Sequence, residues 1–170
     1  MVQLRSINKL INLGPIILLY YLSISELDSH FENYFEILSF NIQLIIIYFW
    51  SLKRSELLGN GHIFLAGLIN DVVMGFPLGI SSLSYLSISL VATYVKNMTV
   101  NTSITTDWFT FFIAILLSNF TFFILMINFS EITVTFEEMS YNTFFTLIFF
   151  PFFWFLFSLY SSIVISGKNV

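Results

Sequence analysis

The chain has 170 residues, 57% of them hydrophobic and only 9% charged, against roughly 25% charged in an ordinary soluble domain. That proportion excludes a soluble globular protein, whose surface needs more charge than this chain carries. No cysteine is present, which excludes a disulfide framework or a thiolate site, and the six Lys and Arg form no basic patch for nucleic acid.

With a mean hydropathy of +0.88, the chain is expected to be an all-α membrane protein, and its apolar runs can be taken in order. The first span covers residues 7–25, with Arg5 ahead of it and Lys9 at its start. It ends at Ser23-Ile24-Ser25, which also resembles a signal-peptide cleavage site; a first transmembrane helix is the preferred reading. The second span covers 37–52, where Tyr48 and Trp50 fit an aromatic belt at the inner membrane surface, followed by Lys53 and Arg54. The apolar stretch 62–95 is too long for one helix of ordinary tilt and is interrupted by Gly75-Phe76-Pro77-Leu78-Gly79, which is turn chemistry. It therefore divides into spans at 62–75 and 79–95, joined by a tight outer hairpin. The fifth span covers 108–129 and the sixth 141–165, the latter kinked at Pro151.

Charge placement tests this count. With six spans and both termini cytoplasmic, all six Lys and Arg fall inside, as the positive-inside rule asks. Most of the ten acids, including Glu26, Glu32, Glu131, Glu137 and Glu138, then fall in two outer loops. A five-span reading would put Lys96 and Lys168 outside. The whole chain reads as one integral-membrane domain.

Asp71 is the one acid within an expected span, and an intramembrane acid is a functional candidate by default. Its plainest role is to pin the turn by capping the next helix around Gly79 to Ser81, because no cation lies at its depth. A proton or cation site and a polar contact to another subunit are the sharper alternatives. Gly67, Asp71, Gly75 and Gly79 recur every fourth residue, so the first three share a helix face on which another helix can come close. Ser81, Ser84 and Ser87 form a small polar stripe that can face the same seam. Pro77 fixes φ in the turn. His62, at the inner start of the third span, is expected to be an interfacial or capping residue. The 22 Phe read mostly as lipid-facing filler. No catalytic constellation, metal-ligand set or cofactor-binding loop emerges.

The segment Tyr48-Phe49-Trp50-Ser51-Leu52-Lys53-Arg54, followed by Gly67-Leu68-Ile69-Asn70-Asp71-Val72-Val73-Met74-Gly75-Phe76-Pro77-Leu78-Gly79, resembles the bacterial rod shape-determining protein MreD family. Those proteins carry an aromatic pair and a basic residue at the inner end of the second helix, then a Gly-x-x-x-Asp-x-x-x-Gly-x-x-Leu-Gly hairpin. Their last helix has an interior proline, as at Pro151. Ser55 here replaces a frequent proline after the basic residue, and Asn41 and Ile42 stand where another proline is common. The resemblance implies a non-enzymatic subunit of the cell-elongation complex in the bacterial inner membrane. Its partners would be MreC, the actin-like MreB, and the glycosyltransferase and transpeptidase that build sidewall peptidoglycan. Gly67, Asp71, Gly75, Pro77 and Gly79 would shape the hairpin, and Tyr48, Trp50 and Arg54 the inner surface. The family is also similar in fold to the substrate-binding subunits of energy-coupling-factor vitamin transporters, which supplies a rival function. Such subunits present an Ala-x-x-x-Ala-like stripe on the first helix, whereas this chain has Ile, Leu and Tyr there. An ion-conducting bundle around Asp71 is a third possibility, resting on that acid alone.

Overall fold

The computed structural model describes residues 2–25, 41–98, 103–130 and 136–166, and these are helical with no strand. In chain order the helices are α1 (Val2–Ile24), α2 (Ile42–Arg54), α3 (Asn60–Met74), α4 (Ile80–Met98), α5 (Ile104–Phe129) and α6 (Phe136–Ser166). They follow the six apolar runs, but the ends differ. The fifth helix begins at Ile104 rather than at 108, because the Ser103 hydroxyl accepts the Thr106 N–H and starts the helix a turn earlier. The sixth begins at Phe136 rather than 141, with Glu137 and Glu138 in its first turn, where negative charge suits the helix dipole. Asn41 caps α2 by accepting the Leu44 N–H at 3.2 Å, and the expected start of that span at 37–40 lies outside the described residues. So do Glu26, Glu32 and Glu131.

Five helices close a ring, α1 against α3, then α4, α5, α6 and back to α1, and α2 sits inside it against α1, α4, α5 and α6. A helix that is apolar on every side is one that is enclosed on every side. Accordingly, each residue of α2 from Leu44 to Leu52 is buried. This corrects the placing of Tyr48 and Trp50 in an interfacial belt: they are 0% and 1% exposed, at the centre of the bundle. Tyr48 meets Phe111 and Phe150 edge-on at 5.1 and 5.9 Å, and those two rings stack on each other at 4.3 Å. Trp50 lies against Tyr160 at 5.8 Å. Part of the Phe complement is therefore core rather than lipid-facing filler.

Outward, the ring helices carry large apolar side chains such as Val72, Leu90, Ile113, Phe120, Ile127 and Phe152 in exposed positions. Inward, they bury Ser82, Ser84, Ser89, Ser118 and Thr146, and the enclosed α2 buries Ser51. Two helices, Ile104–Phe129 and the Phe136–Ser162 part of α6, are long and apolar enough to cross a membrane. α6 stays helical on both sides of Pro151, and α1 on both sides of Pro15. At 13 and 15 residues, α2 and α3 are ~20 Å long at 1.5 Å per residue.

Candidate functional site

Polar chemistry gathers at two ends of the bundle. The first centre is the turn between α3 and α4. α3 stops at Gly75, which takes a left-handed φ of 70°, a conformation that L side chains adopt at a cost. The N–H groups of Gly75 and Phe76 both donate to the Asp71 carbonyl. The Asp71 side chain reaches the other way: Oδ2 accepts the Gly79 N–H at 2.7 Å and Oδ1 accepts the Ser81 N–H at 2.8 Å. One fully buried residue thus closes the end of α3 and caps the start of α4, the plainest of the roles open to it. Both carboxylate oxygens are engaged by backbone, which leaves little of the group for an ion-conducting path.

Gly67 and Gly75 share the spacing but not the role. A Cβ on Gly67 would lie 2.4 Å from Ser82 Cα, so α3 and α4 touch backbone to backbone there. A Cβ on Gly75 would meet nothing within 4 Å. Gly75 is therefore no part of a helix seam; it is needed for its φ, as Gly79 is with φ 103°. Pro77 lies in the turn, its carbonyl accepting the Ile80 N–H at 3.4 Å. The serine stripe of α4 also divides. Ser81 joins Asp71, and the next residue, Ser82, donates to the Phe64 carbonyl at 2.9 Å. Ser84 and Ser87 face α5, Ser84 pairing with Ser118 at 2.6 Å and Ser87 with Thr121 at 3.3 Å.

Substituting Asp71 by Asn keeps the shape but sets an NH2 group against one of the two N–H donors. An unmatched buried donor costs about 1–3 kcal/mol, and the expected result is a corresponding fall in the thermal midpoint of the detergent-solubilised protein. Unchanged stability would mean that the carboxylate does not clamp the hairpin.

The second centre lies at the opposite end and was missed in the sequence. Asp107, like Asp71, is an acid buried within a helix, and it is 0% exposed. Lys53 Nζ stands 2.8 Å from its Oδ2, and Trp154 Nε1 donates to the same oxygen at 2.9 Å. The Lys53 ammonium also lies 5.8 Å from the centre of the Trp154 ring, within cation–π range. Oδ1 of Asp107 is buried with no hydrogen-bond partner among the described residues. Beside it, the Tyr48 hydroxyl bonds Thr110, whose own hydroxyl donates to the Thr106 carbonyl at 2.8 Å. The cluster joins α2, α5 and α6. The available signal was Asp107 immediately ahead of Trp108 and Phe109 at the end expected to be positive, which reads as a loop acid unless a buried partner is sought for it.

The other expected residues fall nearby or apart. Arg54 ends α2 and is half-buried. Ser55, one residue on, accepts from Lys96 Nζ at 2.8 Å, tying the end of α4 to the end of α2. His62 is exposed and shares a hydrogen bond of 2.9 Å with the Tyr20 hydroxyl, so it joins α3 to α1 rather than capping its own helix. Pro151 is half-buried on α6, three residues before Trp154. No family model matches the chain, and no curated protein or solved structure matches it either.

Proposed function

We propose that this chain is a non-enzymatic, six-span subunit of the bacterial inner membrane, of the MreD kind, that scaffolds sidewall peptidoglycan synthesis in the cell-elongation complex. The observation that carries the reading is the hairpin. The residues on which the resemblance rests are the ones engaged there, with Gly67 against Ser82, Asp71 bonded to Gly79 and Ser81, and Gly75 turning the chain. Support for the membrane setting comes from the inverted polarity of the bundle, with Phe, Leu and Ile turned outward and serines buried, the arrangement that lipid favours. Lys53, Arg54 and Lys96 share one end, which becomes the cytoplasmic face with both termini, while Glu137 and Glu138 lie at the other. The short α2 suits this reading, since an enclosed helix need not match the bilayer thickness.

The partners in this proposal are MreC, MreB and the sidewall glycosyltransferase and transpeptidase. Mild-detergent purification of the tagged chain from its host, followed by mass spectrometry, tests it. Co-recovery of MreC and the sidewall synthases is the expected result. Co-recovery of paired ATPases with a membrane scaffold would replace it with the second reading, a substrate-binding subunit of an energy-coupling-factor-type transporter. That alternative is kept because a cavity lined by both carboxamide and apolar side chains opens beside the hairpin.

A further inference from the structure

The end of the bundle that carries the α3–α4 turn holds a cavity of about 260 Å³. Carboxamides line it from four separate elements: Asn41 ahead of α2, Asn70 on α3, Asn119 on α5 and Asn142 on α6. α4 adds Ser81, Ser84 and Tyr85. Polar groups inside an otherwise apolar helix bundle cost free energy unless they are matched, so their convergence on one void from five elements needs a reason.

Some of this polarity is satisfied within the protein. Asn70 donates to Ser81 Oγ at 3.1 Å and accepts from Gln43 at 3.4 Å, and Ser84 pairs with Ser118. Two groups on different walls are not used up. Asn41 holds the Leu44 N–H through Oδ1, which leaves its NH2 as a donor. Asn119 donates Nδ2 to Thr143 at 2.6 Å, which leaves Oδ1 as an acceptor. An occupant would therefore meet a donor and an acceptor across the void.

Charge narrows the class further. Among the described residues no Lys, Arg or His lines the cavity, and the one carboxylate in its lining is the exposed Glu138. Asp71, close by, has both oxygens turned to backbone N–H groups. An anion would find no counter-charge among these lining residues, so an uncharged occupant is favoured. The rest of the lining is apolar, from Leu44, Met74, Met139 and the Phe76 and Phe122 rings, which pack edge-to-face at 5.6 Å. The volume falls just below the ~300–1,000 Å³ of sites for drug-sized ligands, which suits a single substituted ring.

We propose that this cavity is a binding site for a small uncharged ring bearing a lactam or carboxamide group, with Asn41 and Asn119 meeting its acceptor and donor. The proposal needs only the cavity and holds under either reading of the assembly, so failure of one leaves the other standing. The test is thermal unfolding of the full chain in detergent with two matched pairs of probes, nicotinamide against nicotinate and uracil against orotate. A neutral member is expected to raise the midpoint by an amount that grows with the logarithm of its concentration, and its carboxylate counterpart to leave it unchanged. Asn119→Leu should abolish that rise; if it does not fold, Asn119→Ser, which withdraws the acceptor, should weaken it. No rise with any probe, or equal rises within a pair, would overturn the proposal and leave a water-filled void.

Discussion

Lys53→Met is expected to destabilise the protein more than any other single side-chain truncation at the end of the bundle opposite the hairpin. The substitution keeps the apolar stem and removes the charge. It leaves the Asp107 carboxylate fully buried, with Trp154 Nε1 as its remaining donor and Oδ1 already unmatched. Breaking a buried ion pair from one side costs about 3–5 kcal/mol, because the orphaned charge stays in a medium that solvates it poorly. The reverse change is gentler. Asp107→Asn leaves Lys53, which is 24% exposed and can swing its ammonium toward water along a flexible stem. Removing both charges, as in Lys53→Met with Asp107→Leu, removes the desolvation cost together with the attraction and should recover most of the loss. The measurement is a double-mutant cycle in thermal midpoint for the detergent-purified protein. The expected order is Lys53→Met least stable, Asp107→Asn intermediate and the double variant nearest to wild type. Equal losses in the two single variants would show that the pair is solvated and carries little.

Much of this helical order was legible in the sequence, because a run of apolar residues between polar breaks has a length, and length alone separates one helix from two. The turn at 75–79 was legible for the same reason: Gly and Pro restrict backbone geometry locally. What hydropathy does not contain is direction. Lipid tails are about as apolar as leucine, so Ile45, Ile46 and Ile47 look the same whether they face a bilayer or the surrounding helices. That is why Tyr48 and Trp50 read as interfacial residues when they are core. Asp107 was lost through a related blindness. A charge ends an apolar run on any hydropathy scale, and only its distant partners on α2 and α6 show that it lies within the helix. Spacing carried the hairpin further but could not separate its two glycines, since the helix that makes four-residue spacing meaningful stops at Met74.

That separation can be measured, and it gives the second large effect. Gly67→Ala would place a methyl carbon 2.4 Å from Ser82 Cα and 2.5 Å from Ser82 N. Those are backbone atoms, so no change of rotamer relieves the contact and the helices must part. Parting them strains the Ser82 hydroxyl bond to Phe64 and, one turn on, the two bonds from Asp71 that hold α4. Overpacking of a tight contact costs roughly 1–3 kcal/mol and occasionally more, while the change from Gly to Ala within a helix returns about 1 kcal/mol through propensity. The expected net is a clear loss for Gly67→Ala and failure of the helices to assemble for Gly67→Leu. Gly61 lies in the same helix with open space around it, so Gly61→Ala collects the propensity term alone and should be neutral or stabilising. Gly75→Ala also meets no neighbour, yet a side chain at positive φ costs about 1–2 kcal/mol. The three alanine variants, compared by thermal midpoint in one detergent, therefore separate contact, propensity and backbone strain. If Gly67→Ala behaves like Gly61→Ala, the close approach of α3 and α4 is wrong. The placing of Asn70 and Ser81 on one shared cavity wall would then be wrong with it, because that wall exists only where these two helices touch.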